Sequence, residues 1–418
     1  MNYRNRHLEG KILRYREIFP VLLITGARQV GKSTLLSHLL GPDIPQVVFD
    51  PVIDVGNARQ DPEFFIAQHP PPILLDEIQY APELLPVIKR RIDRDDRPGQ
   101  YFLTGSQNLA LLRDVSESLA GRAVVLDLGP MTLAERHGLG MQPRKIWLQT
   151  LLDAAGALPD FSRQERLPQE APWRTVFDAL WRGGYPRTLD LPRDVIVDVL
   201  QSYVRTYVER DIRTLASVQD QQQFSRFLAL CAAMTAQEIN HSQLGREVGV
   251  TPQTAARWLN VLKATFQWVE IPPYHGNAIK RISGKQKGYI SDTGLAAFLQ
   301  RISSPEALSG HPLFGPLFET HVAMDLHRQF HCLGTAPQVY HWRTHAGAEV
   351  DLLLERDGIF WPIEIKTTTR IAAGNARGIA AFRATYPSLR HGPGLIVAPV
   401  EQVARLRDEI VVVPYDLQ

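Results

Sequence analysis

Gly26-Ala27-Arg28-Gln29-Val30-Gly31-Lys32-Ser33-Thr34 decides the fold of the first third of this 418-residue chain. It fits G-x-x-x-x-G-K-[ST], a loop whose backbone N–H groups curl around phosphate oxygens. The apolar run Val21-Leu22-Leu23-Ile24 leads in, and a helix-compatible run from Ser33 to Leu40 leads out. The helix adds the positive end of its dipole to the phosphate cradle. In this reading the nine residues bind nucleotide, Lys32 reaches the β- and γ-phosphates, and Ser33 ligates Mg²⁺.

Four more short apolar runs follow: Gln46 to Asp50, Pro72 to Glu77, Gln100 to Ser106 and Ala123 to Leu128. With the first they predict a five-stranded parallel sheet under helices. The second of the four ends in Asp76-Glu77. An apolar strand ending in Asp supplies a second Mg²⁺ ligand, and the following Glu can orient or deprotonate the attacking water. Ser106, Gln107 and Asn108 follow the next strand, where a polar sensor of the γ-phosphate would sit. Ser106 or Asn108 equally suits a helix N-cap. Arg122 precedes the last strand and is a candidate for neutralising transition-state charge, in its own subunit or a neighbour's. Arg90, Arg91 and Arg113 are further arginines of the same kind.

Composition narrows the class. Hydrophobic residues make up 44% and charged residues 22%, an ordinary globular balance. The net charge of +2 means that any nucleic-acid surface is a local patch. Two cysteines, Cys231 and Cys332, argue against a disulfide framework or zinc cluster and suit a reducing cytoplasm. The first residues show no apolar signal segment, and no apolar run is long enough to span a bilayer.

The P-loop, Leu75-Asp76-Glu77-Ile78-Gln79, Leu103-Thr104-Gly105-Ser106, and Leu119-Ala120-Gly121-Arg122 with Gly129-Pro130-Met131-Thr132 together resemble a bacterial AAA-type ATPase family. That family joins this core to a C-terminal region of unknown function. The resemblance continues through Gly183-Gly184-Tyr185-Pro186, Tyr207-Val208-Glu209-Arg210-Asp211 and Ser291-Asp292-Thr293-Gly294-Leu295, so it spans nearly the whole chain.

Residues 141–234 read as a polar, proline-punctuated linker and a helical connector. Val195, Val199, Tyr203 and Tyr207 recur at four-residue spacing and predict one helix face. Residues 235–290 read as winged-helix-like. Leu244 and Val248 mark a short helix, Gly249-Val250 a turn, and Thr251-Pro252 the start of a second helix. Ala255, Leu259 and Leu262 form its buried stripe. Gln253, Arg257, Asn260 and Lys263 are the candidate DNA contacts. Lys280, Arg281, Lys285 and Lys287 follow as a basic cluster. Trp181, Trp258 and Trp268 are read as core.

The last hundred residues hold a second set of carboxylates. Asp351 lies on one strand, Asp357-Gly358 marks a hairpin turn, and Glu364 and Lys366 share a face of the returning strand. With a helical Glu319 they resemble the D…E-x-K core of restriction-endonuclease-like folds. Asp351 and Glu364 could hold a second Mg²⁺ while Lys366 positions a water. A structural ion cluster is the plain alternative. His311, His321, His327 and His331 lack ligand spacing and are read as solvated or core residues.

The residues thus predict an α/β chain in four parts. These are a P-loop ATPase domain (1–140), a connector (141–234), a winged-helix-like segment (235–290) and an α/β/α restriction-endonuclease-like domain (291–418). The expected function is Mg²⁺-dependent binding and hydrolysis of ATP to ADP, acting on DNA by binding, remodelling or translocation. The expected setting is a cytoplasmic homo-oligomer without membrane contact. Two alternatives stay open: an ATP-operated switch that binds protein partners without DNA, and an ATP-gated metal-dependent nuclease.

Overall fold

A computed structural model describes residues 3–106, 119–140, 146–161, 167, 176–208, 221–277, 279, 281, 284–407 and 409–417. The N-terminal module contains α1 (Glu9–Tyr15), β1 (Val21–Thr25), α2 (Lys32–Leu40), β2 (Gln46–Val48), α3 (Pro62–Gln68), β3 (Ile73–Asp76), α4 (Leu84–Ile92), β4 (Tyr101–Gly105) and β5 (Ala123–Asp127). The five strands are parallel, as expected, in the order β2-β3-β4-β1-β5.

Successive side chains of a strand face opposite sides, so a central strand must be apolar throughout. Leu22 and Ile24 pack into one core with Leu8, Ile12 and Leu36. Val21 and Leu23 pack into another with Phe65, Leu84 and Ile88. The strand order has a functional consequence: β4 lies between β1, which carries the P-loop, and β3, which carries Asp76.

Beyond β5 come α5 (Leu133–Arg136), opened by a reciprocal Thr132–Glu135 capping box, and α6 (Trp147–Asp153). The connector holds α7 (Val176–Arg182), α8 (Pro186–Leu189) and α9 (Arg193–Tyr203). The residues expected to share one face of α9 are not, as a set, its buried stripe. Val195 is exposed, and the inward stripe is Ile196, Leu200 and Tyr203. Helical spacing of three or four residues fits both sets, and only the neighbouring helices choose between them.

The next unit runs α10 (Gln221–Ala233), β6 (Gln237–Glu238), α11 (His241–Val248), α12 (Pro252–Ala264), β7 (Trp268–Ile271) and β8 (Lys287–Ile290). Its three strands form an antiparallel sheet in the order β6-β8-β7. Asn240 caps α11, Gly249 ends it at φ 79°, and Thr251 caps α12. Phe224 and Phe227 of α10 meet Trp258 edge-on at 5.3 and 5.4 Å. The helix of residues 221–233, read from sequence as connector, therefore packs as part of this unit.

The C-terminal part opens with α13 (Thr293–Leu299) and α14 (Phe314–Phe330). The meander β9 (Gln338–Arg343), β10 (Glu349–Arg356), β11 (Ile359–Ile365) follows. After α15 (Arg377–Thr385) come β12 (Arg390–His391), β13 (Gly394–Ala398), β14 (Ala404–Arg407) and β15 (Ile410–Pro414). The sheet order is β14-β15-β13-β11-β10-β9. β9-β10-β11 pair antiparallel, whereas β11, β13 and β15 run parallel. Asp357 and Gly358 turn the hairpin with φ of 56° and 74°.

Motifs far apart in sequence meet where these parts join. The Gly184 N–H donates to Asp292 Oδ2 at 2.6 Å, and the Leu295 N–H donates to Oδ1 at 3.0 Å. The Met131 N–H donates to the Gly184 carbonyl at 2.7 Å. Gly183 has φ of 69°, and any side chain there would overlap the Asp292 carboxylate. Among the described residues no helix is long and apolar enough to cross a membrane.

Candidate nucleotide site

The P-loop leaves the C-terminal end of β1 through Gly26 at φ 146° and enters α2 through Gly31 at φ 95°. A Cβ on Gly26 would overlap the Leu128 carbonyl oxygen, so the loop closes only with glycine there. The Lys32 ammonium is buried and donates to the Gly26 and Ala27 carbonyls, both at 2.9 Å. Arg28 donates to the Tyr80 hydroxyl at 2.6 Å.

Asp76 ends β3 and faces α2. The Ser33 hydroxyl donates to Asp76 Oδ1 at 2.8 Å, and the Thr104 hydroxyl of β4 donates to the same oxygen. Gln46 Nε2 reaches Oδ2 at 3.5 Å. Hard oxygens from a hydroxyl and a carboxylate, held in contact beside a phosphate loop, are the donors that Mg²⁺ takes.

Glu77 follows with φ of 57°, a left-handed conformation rare for a residue with a side chain. Its N–H donates to Thr104 Oγ1 at 3.0 Å. Its Oε2 accepts from Ser106 at 3.1 Å and from the Gln79 amide. Ser106 is thus brought to the carboxylates. Gln107, Asn108 and Arg113 lie outside the described residues.

Arg122 is placed elsewhere. Its carbonyl accepts from the Val21 N–H at 3.3 Å, at the start of β1, and its guanidinium pairs with Asp93 at 2.5 Å. The P-loop leaves the other end of β1, four steps of about 3.3 Å away, or about 13 Å. Arg122 therefore does not join the P-loop of its own chain. Arg90 and Arg91 pair with Glu63 at 2.5 and 3.8 Å.

Thr104, Gln79 and Arg6 are contributors that sequence reasoning missed. Arg6 is buried and donates to the Val30 carbonyl at 2.8 Å and the Gly129 carbonyl at 2.7 Å, while Nε pairs with Glu135 at 3.1 Å. It buttresses the P-loop from behind. A lone arginine near a chain start carries no periodic or motif signal.

Residues 19–137 match the family model described as an AAA domain. The N-terminal module is thus similar to AAA domains. Residues 174–306 and 314–417 match two separate domains of unknown function. Uncharacterized proteins of Mycobacterium bovis and Mycobacterium tuberculosis are each 29% identical over 417 residues, covering 100% of this chain and 85% of each relative. A Walker-type ATPase of Pyrococcus abyssi shares 16% identity with a TM-score of 0.42, covering 72% of this chain and 99% of that one. A RuvB of Thermotoga maritima shares 18% with a TM-score of 0.30, covering 64% and 86%.

Downstream of the N-terminal module, the predicted carboxylates do come together, with an extra partner. Lys366 Nζ lies 2.5 Å from Glu364 Oε2 and 4.0 Å from Asp351 Oδ2. Lys287, read as part of a basic cluster, is buried. Its ammonium lies 2.5 Å from Glu319 Oε1 and 3.6 Å from Asp351 Oδ1. Tyr289 also donates to Glu319, at 2.8 Å. Burial, then the Asp351 charge, push the Glu319 carboxyl up to about 7. Burial also raises Glu364, against the opposing charge of Lys366. The expected second Mg²⁺ finds two lysines in contact with these acids. Among the described residues no group of three or more His, Cys, Asp or Glu is arranged to hold a metal.

On α12, Gln253, Arg257 and Asn260 are exposed at i, i+4, i+7 spacing and share a face. Lys263 pairs with Glu270 of β7 at 2.9 Å, a contact that also braces the unit. The segment after β7 is docked on the C-terminal sheet. Tyr274 enters an aromatic cluster with Tyr340, Phe360 and Tyr386, at 5.5, 5.1 and 5.3 Å. Arg281 stacks on Tyr274 at 5.5 Å, Lys285 is exposed, and Lys280 lies outside the described residues. Of the histidines, His321 is buried against Tyr415, and His327 and His331 lie edge to face at 5.0 Å.

Proposed function

We propose that this protein is an Mg²⁺-dependent ATPase that acts on DNA through the α11–α12 pair. Ser33, Asp76 and Thr104 meeting on one carboxylate oxygen is the observation that carries the ATPase half. The P-loop N–H groups and Lys32 bind the phosphates, and Ser33 and Asp76 hold the metal. Bound Mg²⁺ supplies charge neutralisation at the phosphate oxygens. Glu77 orients the attacking water and takes its proton. Ser106 holds Glu77 to β4. Arg122 serves only a neighbouring subunit's nucleotide, so its use requires a homo-oligomer.

The DNA half is supported by the shared exposed face of Gln253, Arg257 and Asn260 on the second helix of a winged-helix-like unit. The test is ATP turnover with and without duplex DNA across a salt series. Stimulation that fades steeply with salt and is lost in Arg257→Ala supports the reading. Turnover indifferent to DNA at low salt would favour a switch that works on protein partners.

A second reading, an ATP-gated nuclease, is favoured by the convergence of Glu319, Asp351, Glu364 and Lys366 on the β10–β11 hairpin. It expects Mg²⁺-dependent cleavage that disappears in Asp351→Ala and Lys366→Ala. A chain that cleaves no DNA in ATP and Mg²⁺ leaves the cluster a structural one.

A further inference from the structure

Glu77 is not held by its own backbone alone. Residues 78–80 form a single tight turn after it, and this turn returns the Gln79 side chain to the Glu77 carboxylate. Gln79 Nε2 donates to Glu77 Oε2 and lies 3.0 Å from Ser106 Oγ. Ser106 donates to the same Glu77 oxygen at 3.1 Å. Gln79, Ser106 and Glu77 thus close a triangle between the turn after β3 and the end of β4.

The orientation of this amide follows from chemistry. An ionised carboxylate only accepts hydrogen bonds, so the amide atom facing it must be the NH₂ group. The other atom, Oε1, is then an acceptor. It is buried and has no hydrogen-bond partner among the described residues. Leaving such an acceptor unsatisfied is costly, so it calls for a donor beyond the described residues. Beside a general base, the donor of that kind is the water to be activated.

We infer that Gln79 is a positioning residue for hydrolysis. Its NH₂ group fixes the rotamer of Glu77, and its Oε1 accepts a hydrogen bond from the attacking water. One O–H of the water then points to Gln79 and the other to Glu77, which leaves a lone pair for the γ-phosphorus. The O–P bond forms as the bond to the bridging oxygen of ADP breaks, and the water's proton passes to Glu77. Neighbouring contacts hold the turn against the phosphate loop, because Tyr80 accepts from Arg28 of the P-loop at 2.6 Å. The inference rests on Glu77 being the base.

The test uses the full chain. Single-turnover hydrolysis and binding of a fluorescent ATP analogue are measured for wild type, Gln79→Ala, Glu77→Gln and the double variant. Gln79→Met, which keeps the side-chain length, replaces the alanine variant if that one does not fold. Gln79→Ala is expected to slow hydrolysis about tenfold or more, with nucleotide affinity within about twofold of wild type. In the Glu77→Gln background the same change is expected to cost nothing further, because the group it positions is already gone. A Gln79→Ala rate equal to wild type, with Glu77→Gln inactive, overturns the inference and leaves the base assignment standing. An equal loss in both backgrounds overturns it too, since that is the mark of a general structural effect. Full activity in Glu77→Gln would instead remove the base assignment itself.

Discussion

The Thr104 hydroxyl donates to the Asp76 carboxylate oxygen that also accepts from Ser33, and it accepts the Glu77 N–H at 3.0 Å. One buried hydroxyl therefore aligns Asp76, the proposed metal ligand, with Glu77, the proposed base. It can do so because β4 separates the P-loop strand from the strand carrying both acids. Thr104→Val keeps the shape and removes both bonds. The expected loss is about 1–3 kcal/mol of stability, with turnover down about tenfold. Thr104→Ser should recover most of both. Thermal unfolding and steady-state ATPase assays would show it, and a fully active valine variant would dismiss the role.

Lys32 is tied to the carbonyls of Gly26 and Ala27 within the loop it serves. Lys32→Ala is expected to abolish turnover while leaving the unfolding temperature within a few degrees of wild type, because the ammonium's contacts to Gly26 and Ala27 lie within the loop. Wild-type hydrolysis by this variant would refute the nucleotide site.

Arg122 pairs with Asp93 about 13 Å from the P-loop end of β1. Arg122→Ala should leave turnover unchanged wherever the protein is monomeric. If assembly supplies the arginine in trans, turnover should fall on the order of a thousandfold at concentrations where wild type assembles. Rate against protein concentration, alongside mass in solution, separates the two cases.

Asp292 is 1% exposed and holds the Gly184 and Leu295 N–H groups at the meeting point of three modules. Asp292→Ala strands both donors and removes the negative charge facing the buried Arg136 and Arg328. The expected loss is about 3–5 kcal/mol in denaturant unfolding. A loss under about 0.5 kcal/mol would show that the junction is not held this way.

Glu319 makes stability depend on pH in a chosen direction. Its carboxyl is raised from the ordinary 4.5 to about 7, so between these values the folded state holds more protons than the unfolded state. Stability from this group is present below about 4.5 and is lost as pH rises toward 7. Glu319→Gln should flatten that fall, by about 3 kcal/mol across the window. Urea midpoints from pH 4.5 to 8 measure it, and parallel curves for the two proteins would count against the raised carboxyl.

Local pattern carried much of this protein. The P-loop, the five apolar strands, the Asp76-Glu77 strand end, the α11–α12 turn and the β10–β11 hairpin were all legible, because each depends on residues within a few positions. A glycine that must take positive φ, or a run buried on both faces, announces itself locally. What joined these pieces was not legible. Lys287 among the carboxylates, Thr104 between Asp76 and Glu77, Arg6 behind the P-loop and Asp292 under Gly184 are contacts between residues tens to hundreds of positions apart. The inward face of α9 likewise waited on its neighbours, since Val195 and Ile196 fit the same spacing. Arg122 shows the same limit from the other side: its sequence context fits a catalytic arginine, and only the strand direction places it at the far end of the sheet. Sequence spacing determines which side chains can share an element's face. Which faces meet, and so which charges are neutralised and which remain free to act, is decided by packing across the whole fold.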